Sequence, residues 1–195
     1  MVLLYLHGLN SSAQSHKAQV LREALAPMPV LAPDYPAHRP DAAVATLTAV
    51  FRDLAGRGGA PVVVGSSMGG FYGQYLARCF PVSHLFLINP ALTPWDLLPD
   101  YVGVTMTTAR GETYTPTAQM IERTHAYGIA MPCDGDDDGV PTTLFLDRGD
   151  EVIDYRIAER LYQGCGRLHI YDGGDHGFQH LDKAIAVIRD VVGKR

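Results

Sequence analysis

The chain has 195 residues, 47% of them hydrophobic and 19% charged, a composition that fits one globular core and leaves little room for a second. With 16 Lys and Arg against 21 Asp and Glu the formal net charge is −5, so no basic surface is available to neutralise nucleic-acid phosphates, and nucleic acid is not expected as a partner. No apolar run approaches the roughly 18 to 20 residues that span a bilayer, so no membrane span is expected either.

The N-terminus, Met-Val-Leu-Leu-Tyr-Leu-His-Gly, has no Lys or Arg before its apolar stretch and no small-residue cleavage site behind it. It reads as a first core strand over residues 2–6, not as a signal peptide. A helix is predicted over 13–26 and a short strand over 30–32. A second helix is predicted over 41–57, where Ala42, Ala45, Leu47, Val50, Phe51 and Leu54 recur near the 3.6 period and Asp41 is available as N-cap. Strand 62–65, helix 68–80 and strand 85–88 follow. After a long excursion come strand 143–146, helix 154–163, strand 168–171 and helix 181–192. Each strand candidate is nearly continuous in apolar residues, as when helices cover both faces of a parallel sheet.

The expected architecture is therefore α/β, with about six parallel strands in the order 2-1-3-4-5-6, helices on both faces and right-handed crossovers. Residues 1–195 are read as one domain with a cap-like insertion at about 91–141. Within the insertion only 116–127 has a helical pattern. Its apolar residues, among them Trp95, Tyr101 and Met106, suit either a cap over an apolar cleft or a small excursion that packs them away. Cys79, Cys133 and Cys165 are odd in number and lack any CxxC pair, which fits a reducing compartment better than a disulfide framework and makes the cytoplasm the expected location.

Gly65-Ser66-Ser67-Met68-Gly69-Gly70 directly follows one predicted strand and opens a predicted helix. This is the context of a nucleophile elbow, whose turn is too sharp for side chains at the flanking positions. The spacing and Lys of a phosphate-binding loop are absent. A serine hydroxyl needs a base, and the base an orienting carboxylate, both at the C-terminal edge of the sheet. Asp147, Asp150, Glu151 and Asp154 follow the fifth strand; Asp150 is the choice, because Val152 and Ile153 would anchor its loop. Asp154 suits the N-cap of the next helix and Glu151 is expected in solvent. His176, in a Gly-rich loop after the sixth strand, is preferred as base over His180, which falls near the final helix. The backbone amides of Met68 and Leu9 are the expected oxyanion donors, with Gly8 supplying freedom and His7 a structural hydrogen bond. Asn10, Trp95, Tyr101 and Met106 are candidate substrate contacts.

No cofactor or metal is expected. The acidic turn from Asp134 to Gly139 matches the first half of a calcium loop, but Phe145 stands where a bidentate Glu is required. The remaining histidines, His16, His38, His84, His125 and His169, fit no metal spacing.

With the segments Leu4 to Ser12, Gly65 to Tyr72, Asn89-Pro90-Ala91, Gly149 to Arg156 and Gly173 to Phe178 in hand, the chain resembles the small YqiA/YcfP-type esterases of the α/β-hydrolase superfamily over nearly its whole length. The resemblance implies a minimal α/β-hydrolase lacking the first two strands of larger members, with Ser67, Asp150 and His176 as its triad. It also implies hydrolysis of small-molecule esters or acyl-thioesters. The match is weakest from residue 106 to 139. Three functions stay open: a serine esterase, an acyl-CoA thioesterase, and a non-catalytic ligand-binding or interaction module on the same fold.

Overall fold

The apolar runs become strands buried on both sides. In the computed structural model, which describes residues 1–133 and 139–194, the elements in chain order are β1 (Leu3–Leu6), α1 (His16–Ala24), β2 (Val30–Leu31), α2 (Pro40–Gly56), β3 (Val62–Ser66), α3 (Met68–Cys79), β4 (His84–Ile88), α4 (Pro94–Leu97), β5 (Met106–Thr107), β6 (Thr113–Tyr114), α5 (Ala118–Glu122), β7 (Thr142–Asp147), α6 (Tyr155–Tyr162), β8 (Arg167–Tyr171) and α7 (Leu181–Gly193). Six of the strands form one parallel sheet in the order β2-β1-β3-β4-β7-β8. This is the expected order, with β7 and β8 as its fifth and sixth strands.

Alternate residues of each strand serve two cores. On one face Leu4, Leu6, Val63, Leu85, Leu87 and Leu144 pack with Leu47 and Phe51 of α2, Phe71 and Leu76 of α3, and Tyr162 of α6. On the other, Leu3, Val62, Val64, Phe86, Ile88 and Phe145 meet Ala18 and Leu21 of α1 and Ile185 and Ile188 of α7. Because all six strands run the same way, their C-terminal ends share one edge, and the loops leaving them can meet there.

Three expectations are corrected. Asp41 does not cap α2. Pro40 occupies the first helical position, where its fixed φ and missing N–H are tolerated, so the cap falls to Arg39, which makes no side-chain cap. The Asp41 carboxylate instead accepts from Arg123 at 2.7 and 3.0 Å and from the Tyr127 hydroxyl, tying the insertion to α2. The helix predicted over 116–127 holds only through α5 and then tightens into a 3-10 turn, Arg123–Tyr127. The β5–β6 hairpin was not legible, its strands being two residues each.

The third correction concerns the cysteines. Cys133 and Cys165 form a disulfide across a Cα separation of 5.3 Å, while Cys79 is free and exposed. They lie 32 residues apart in sequence, and the chain's return from the insertion brings Cys133 against the end of α6. The cytoplasmic expectation loses its cysteine argument. Among the described residues no helix is long and apolar enough to cross a membrane.

Candidate active site

Ser67 sits between β3 and α3 with φ 53° and ψ −122°, in the left-handed region that a side chain occupies only under constraint. The constraint is visible on every side. The Ser67 amide donates to the Ile88 carbonyl at 3.0 Å, and the Ser67 carbonyl accepts from Gly70 at 2.9 Å and Ala91 at 3.1 Å. A Cβ on Gly65 would stand 2.4 Å from the Gly69 carbonyl oxygen, and one on Gly69 would stand 2.0 Å from that of Leu6. Both obstacles are backbone, so neither position admits another residue without moving the turn.

From this turn the serine hydroxyl reaches His176. Ser67 Oγ and His176 Nε2 are 3.2 Å apart, and His176 Nδ1 lies 2.9 and 3.1 Å from the two Asp150 carboxylate oxygens. With Nδ1–H donated to Asp150, the network assigns the Nε2 lone pair to the serine. The Asp150 side chain is only 1% exposed. Its Oδ1 also accepts from the amides of Val152 at 2.9 Å and Ile153 at 2.8 Å. Ile153 is buried whereas Val152 is 43% exposed, so the loop is held by two amides and one side chain, not by the apolar pair.

Each rival residue has a place of its own. Asp154 caps α6, accepting from the Arg156 amide at 3.0 Å. Glu151 is exposed, yet its carboxylate accepts from the His176 amide at 3.1 Å, so it steadies the histidine loop where free solvation was expected. His180 precedes α7 and pairs with Asp147. His7 is 2% exposed and donates Nδ1–H to the Gly8 carbonyl at 2.9 Å.

The amides of Leu9 and Met68 donate to no acceptor among the described residues, and both residues line the cleft onto which Ser67 opens. Gly8 lets this loop approach: a Cβ there would be 3.1 Å from Ser67 Cβ. Asn10, directly after Leu9, has φ 57° and is gripped by the insertion, since its carbonyl accepts from the Ala109 amide and its Oδ1 from the Tyr114 hydroxyl, both at 2.8 Å.

The cleft holds about 880 Å³ and is walled by Leu9, Met68, Leu97, Leu98, Tyr101 and Met106 on its apolar side. Of the candidate substrate contacts, Asn10, Tyr101 and Met106 line it. Trp95 does not. Its ring stacks on His125 at 4.3 Å and meets Phe71 edge-on, while Gly128 backs onto it so closely that a Cβ would stand 2.5 Å away. The ring is partly buried and committed to packing against the core and the insertion.

Sequence reasoning missed Asn89, at the end of β4. Its side chain donates to the Asp175 carbonyl at 3.0 Å and accepts from the Asp147 amide at 2.9 Å, joining the end of β7 to the loop after β8. The signal available was an Asn at a strand's C-terminal end, held here with φ 38°. Among the described residues no group of three or more His, Cys, Asp and Glu side chains is arranged to hold a metal ion. Residues 134–138 of the acidic turn lie outside the described residues.

A model of the uncharacterised protein family UPF0227 matches residues 2–192. Among solved structures, the chain is similar to mouse alpha/beta hydrolase domain-containing protein 10, at 16% identity and TM-score 0.75, covering 98% of this chain and 89% of that one. Est1E from Butyrivibrio proteoclasticus, solved with ferulic acid bound, aligns at 14% identity and TM-score 0.74 over 99% and 88% of the two chains. The Paleococcus ferrophilus monoacylglycerol lipase aligns at 15% identity and TM-score 0.68 over 96% and 92%. These likenesses establish the α/β-hydrolase fold.

Proposed function

The chain belongs to the UPF0227 family, the YqiA-type group, and from that footing we propose that it is a serine hydrolase cleaving carboxylic esters of small or acyl-chain substrates. The observation that carries the proposal is the hydrogen-bonded chain Ser67 Oγ, His176 Nε2, His176 Nδ1, Asp150, opening onto a ligand-sized cleft. Among the structural neighbours, the monoacylglycerol lipase supports the same class.

In this reading Ser67 Oγ attacks the ester carbonyl as His176 Nε2 takes its proton, and Asp150 stabilises the imidazolium that forms. The developing oxyanion receives the free amides of Leu9 and Met68, donors whose individual loss in such sites costs about 3 kcal/mol. His176 then returns the proton to the departing alcohol, leaving Ser67 acylated. Water, deprotonated by the same histidine, adds to the acyl-enzyme, and its collapse releases the acid and restores the serine. None of these steps draws on a cofactor, so activity is expected to survive chelator.

Thioesters react through the same acyl-enzyme, and the apolar wall from Leu9 to Met106 suits an acyl chain on either leaving group. Hydrolysis of a short p-nitrophenyl ester beside an acyl-CoA of matched chain length separates the esterase and thioesterase forms. Loss of both activities in folded Ser67→Ala is the expected result. Undiminished hydrolysis by that variant contradicts the serine mechanism, and no hydrolysis by wild type leaves the binding-module reading in its place.

A further inference from the structure

Lys17 lies in the first turn of α1 and lines the same cleft as Ser67 and His176. It is half-buried, and burial pushes its ammonium below the ordinary lysine range despite the opposing fields of Asp175 and Asp150. Among the described residues no carboxylate comes within salt-bridge distance of it. The two acids whose fields reach it are engaged elsewhere. Asp150 holds His176 and two amides; Asp175 Oδ2 accepts from Gln179 Nε2 at 2.6 Å, and its Oδ1 is enclosed without a partner. A partly desolvated cation without a salt-bridge partner is stabilised by an anion that arrives to meet it.

The cleft is polarised around that cation. The carboxylates lining it are Asp96 in α4, Asp100 just beyond it, and Glu151, which accepts from the His176 amide. The helix α1 packs on the face of the sheet shared with α7, whereas Trp95 and Leu97 of α4 pack against the opposite core. Lys17 therefore faces the cleft from one side of the sheet and Asp96 and Asp100 from the other. Asp150 and Asp175, whose fields reach it, belong to the acid and histidine loops, so Lys17 stands on the His176 side of the cleft.

We propose that Lys17 is a specificity-determining residue that selects esters or thioesters whose leaving group carries an anion, a carboxylate or a phosphate. The proposal rests on the serine-hydrolase reading above and names the substrate class of that site. An anion placed there meets the one lysine of the cleft lining, already partly shielded from water, while the acyl chain lies along the apolar wall beside Leu97, Leu98 and Met106.

The test compares butyrate esters of two nitrophenols identical except that one carries a ring carboxylate and the other the neutral carboxamide. The ratio of their kcat/KM values is measured in wild type, Lys17→Met and Lys17→Arg, so that intrinsic leaving-group reactivity cancels between enzymes. Expected is a roughly tenfold fall in the carboxylate-to-carboxamide ratio in Lys17→Met, carried mainly by KM, with the carboxamide ester unaffected and the ratio restored in Lys17→Arg. A ratio unchanged in Lys17→Met overturns the proposal, as does a loss that strikes both esters equally. Carboxamide-ester hydrolysis that disappears in Ser67→Ala sustains the underlying reading separately; if no ester is cleaved, that reading has failed, and the selection by Lys17 with it.

Discussion

Asp147 and His180 form a second carboxylate–imidazole pair beside the first, with Oδ1 and Nδ1 2.6 Å apart and the Asp147 side chain fully buried. Asp147 Oδ2 accepts from the Gln179 amide at 2.8 Å, and Gly174 lies so tightly on the carboxylate that a Cβ there would be 1.9 Å from it. The end of β7 is thus bonded to the far end of the loop that carries His176, while Asn89 bonds its near end. The loop is held at both ends by side chains with no reason to touch substrate.

Removing the buried acceptor leaves His180 and the Gln179 amide without a partner. Asp147→Ala is expected to lose about 3 kcal/mol of unfolding free energy and to lower kcat more than it raises KM, because the loop loosens without altering the apolar wall. Denaturant unfolding beside steady-state kinetics checks both. A stability within about 0.5 kcal/mol of wild type contradicts the structural role.

Tyr114 reaches from the insertion hairpin to Asn10, next to the expected oxyanion donor Leu9. Tyr114→Phe removes the hydroxyl and keeps the ring, which stacks on His38 at 4.0 Å. The variant is expected to fold normally and to lose on the order of tenfold in kcat with little change in KM, as when donors to the transition state are misplaced. An unchanged kcat means the hairpin does not set that loop.

His7 gives a pH signature. Burial pushes its imidazole below the ordinary value of 6.5, and its Nε2 is enclosed with no partner, so a proton there has no acceptor. The unfolded chain takes up that proton first as pH falls. His7's contribution to stability is therefore complete above about 6.5 and is lost as pH falls through that value toward the lower folded one. The melting temperature is expected to drop across this acidic window, and the His7 ring signal in NMR to titrate below 6.5. A midpoint above 6.5 contradicts the assignment.

The Cys133–Cys165 bond leaves one thiol per chain. Thiol titration of the denatured protein is expected to count one group before reduction and three after it. Three groups before reduction mean that the pair is open.

Much of this was readable from the sequence because it depends on backbone geometry that only certain residues permit. Gly65 and Gly69 flank Ser67 for a steric reason, and that reason reappears as Cβ positions 2.4 and 2.0 Å from carbonyl oxygens. The apolar runs before Ser67, Asp150 and His176 fixed the strands, and parallel strands place their exits at one edge. What was not readable depends on partners distant in sequence. Asp41 lies inside α2 and binds Arg123 and Tyr127, 82 and 86 residues away. Trp95 is taken out of the cleft by His125 and Gly128. Lys17 has no motif around it; its interest comes only from the cleft it faces and the acids that are occupied elsewhere.

The most direct measurement of the central claim is intact-protein mass spectrometry after exposure to a fluorophosphonate, with Ser67→Ala run beside wild type. A single phosphonyl adduct on wild type, absent from the folded variant, is the expected result, since only a serine activated by His176 and Asp150 displaces the fluoride. No adduct on well-folded wild type, or an equal adduct on Ser67→Ala, contradicts an activated Ser67.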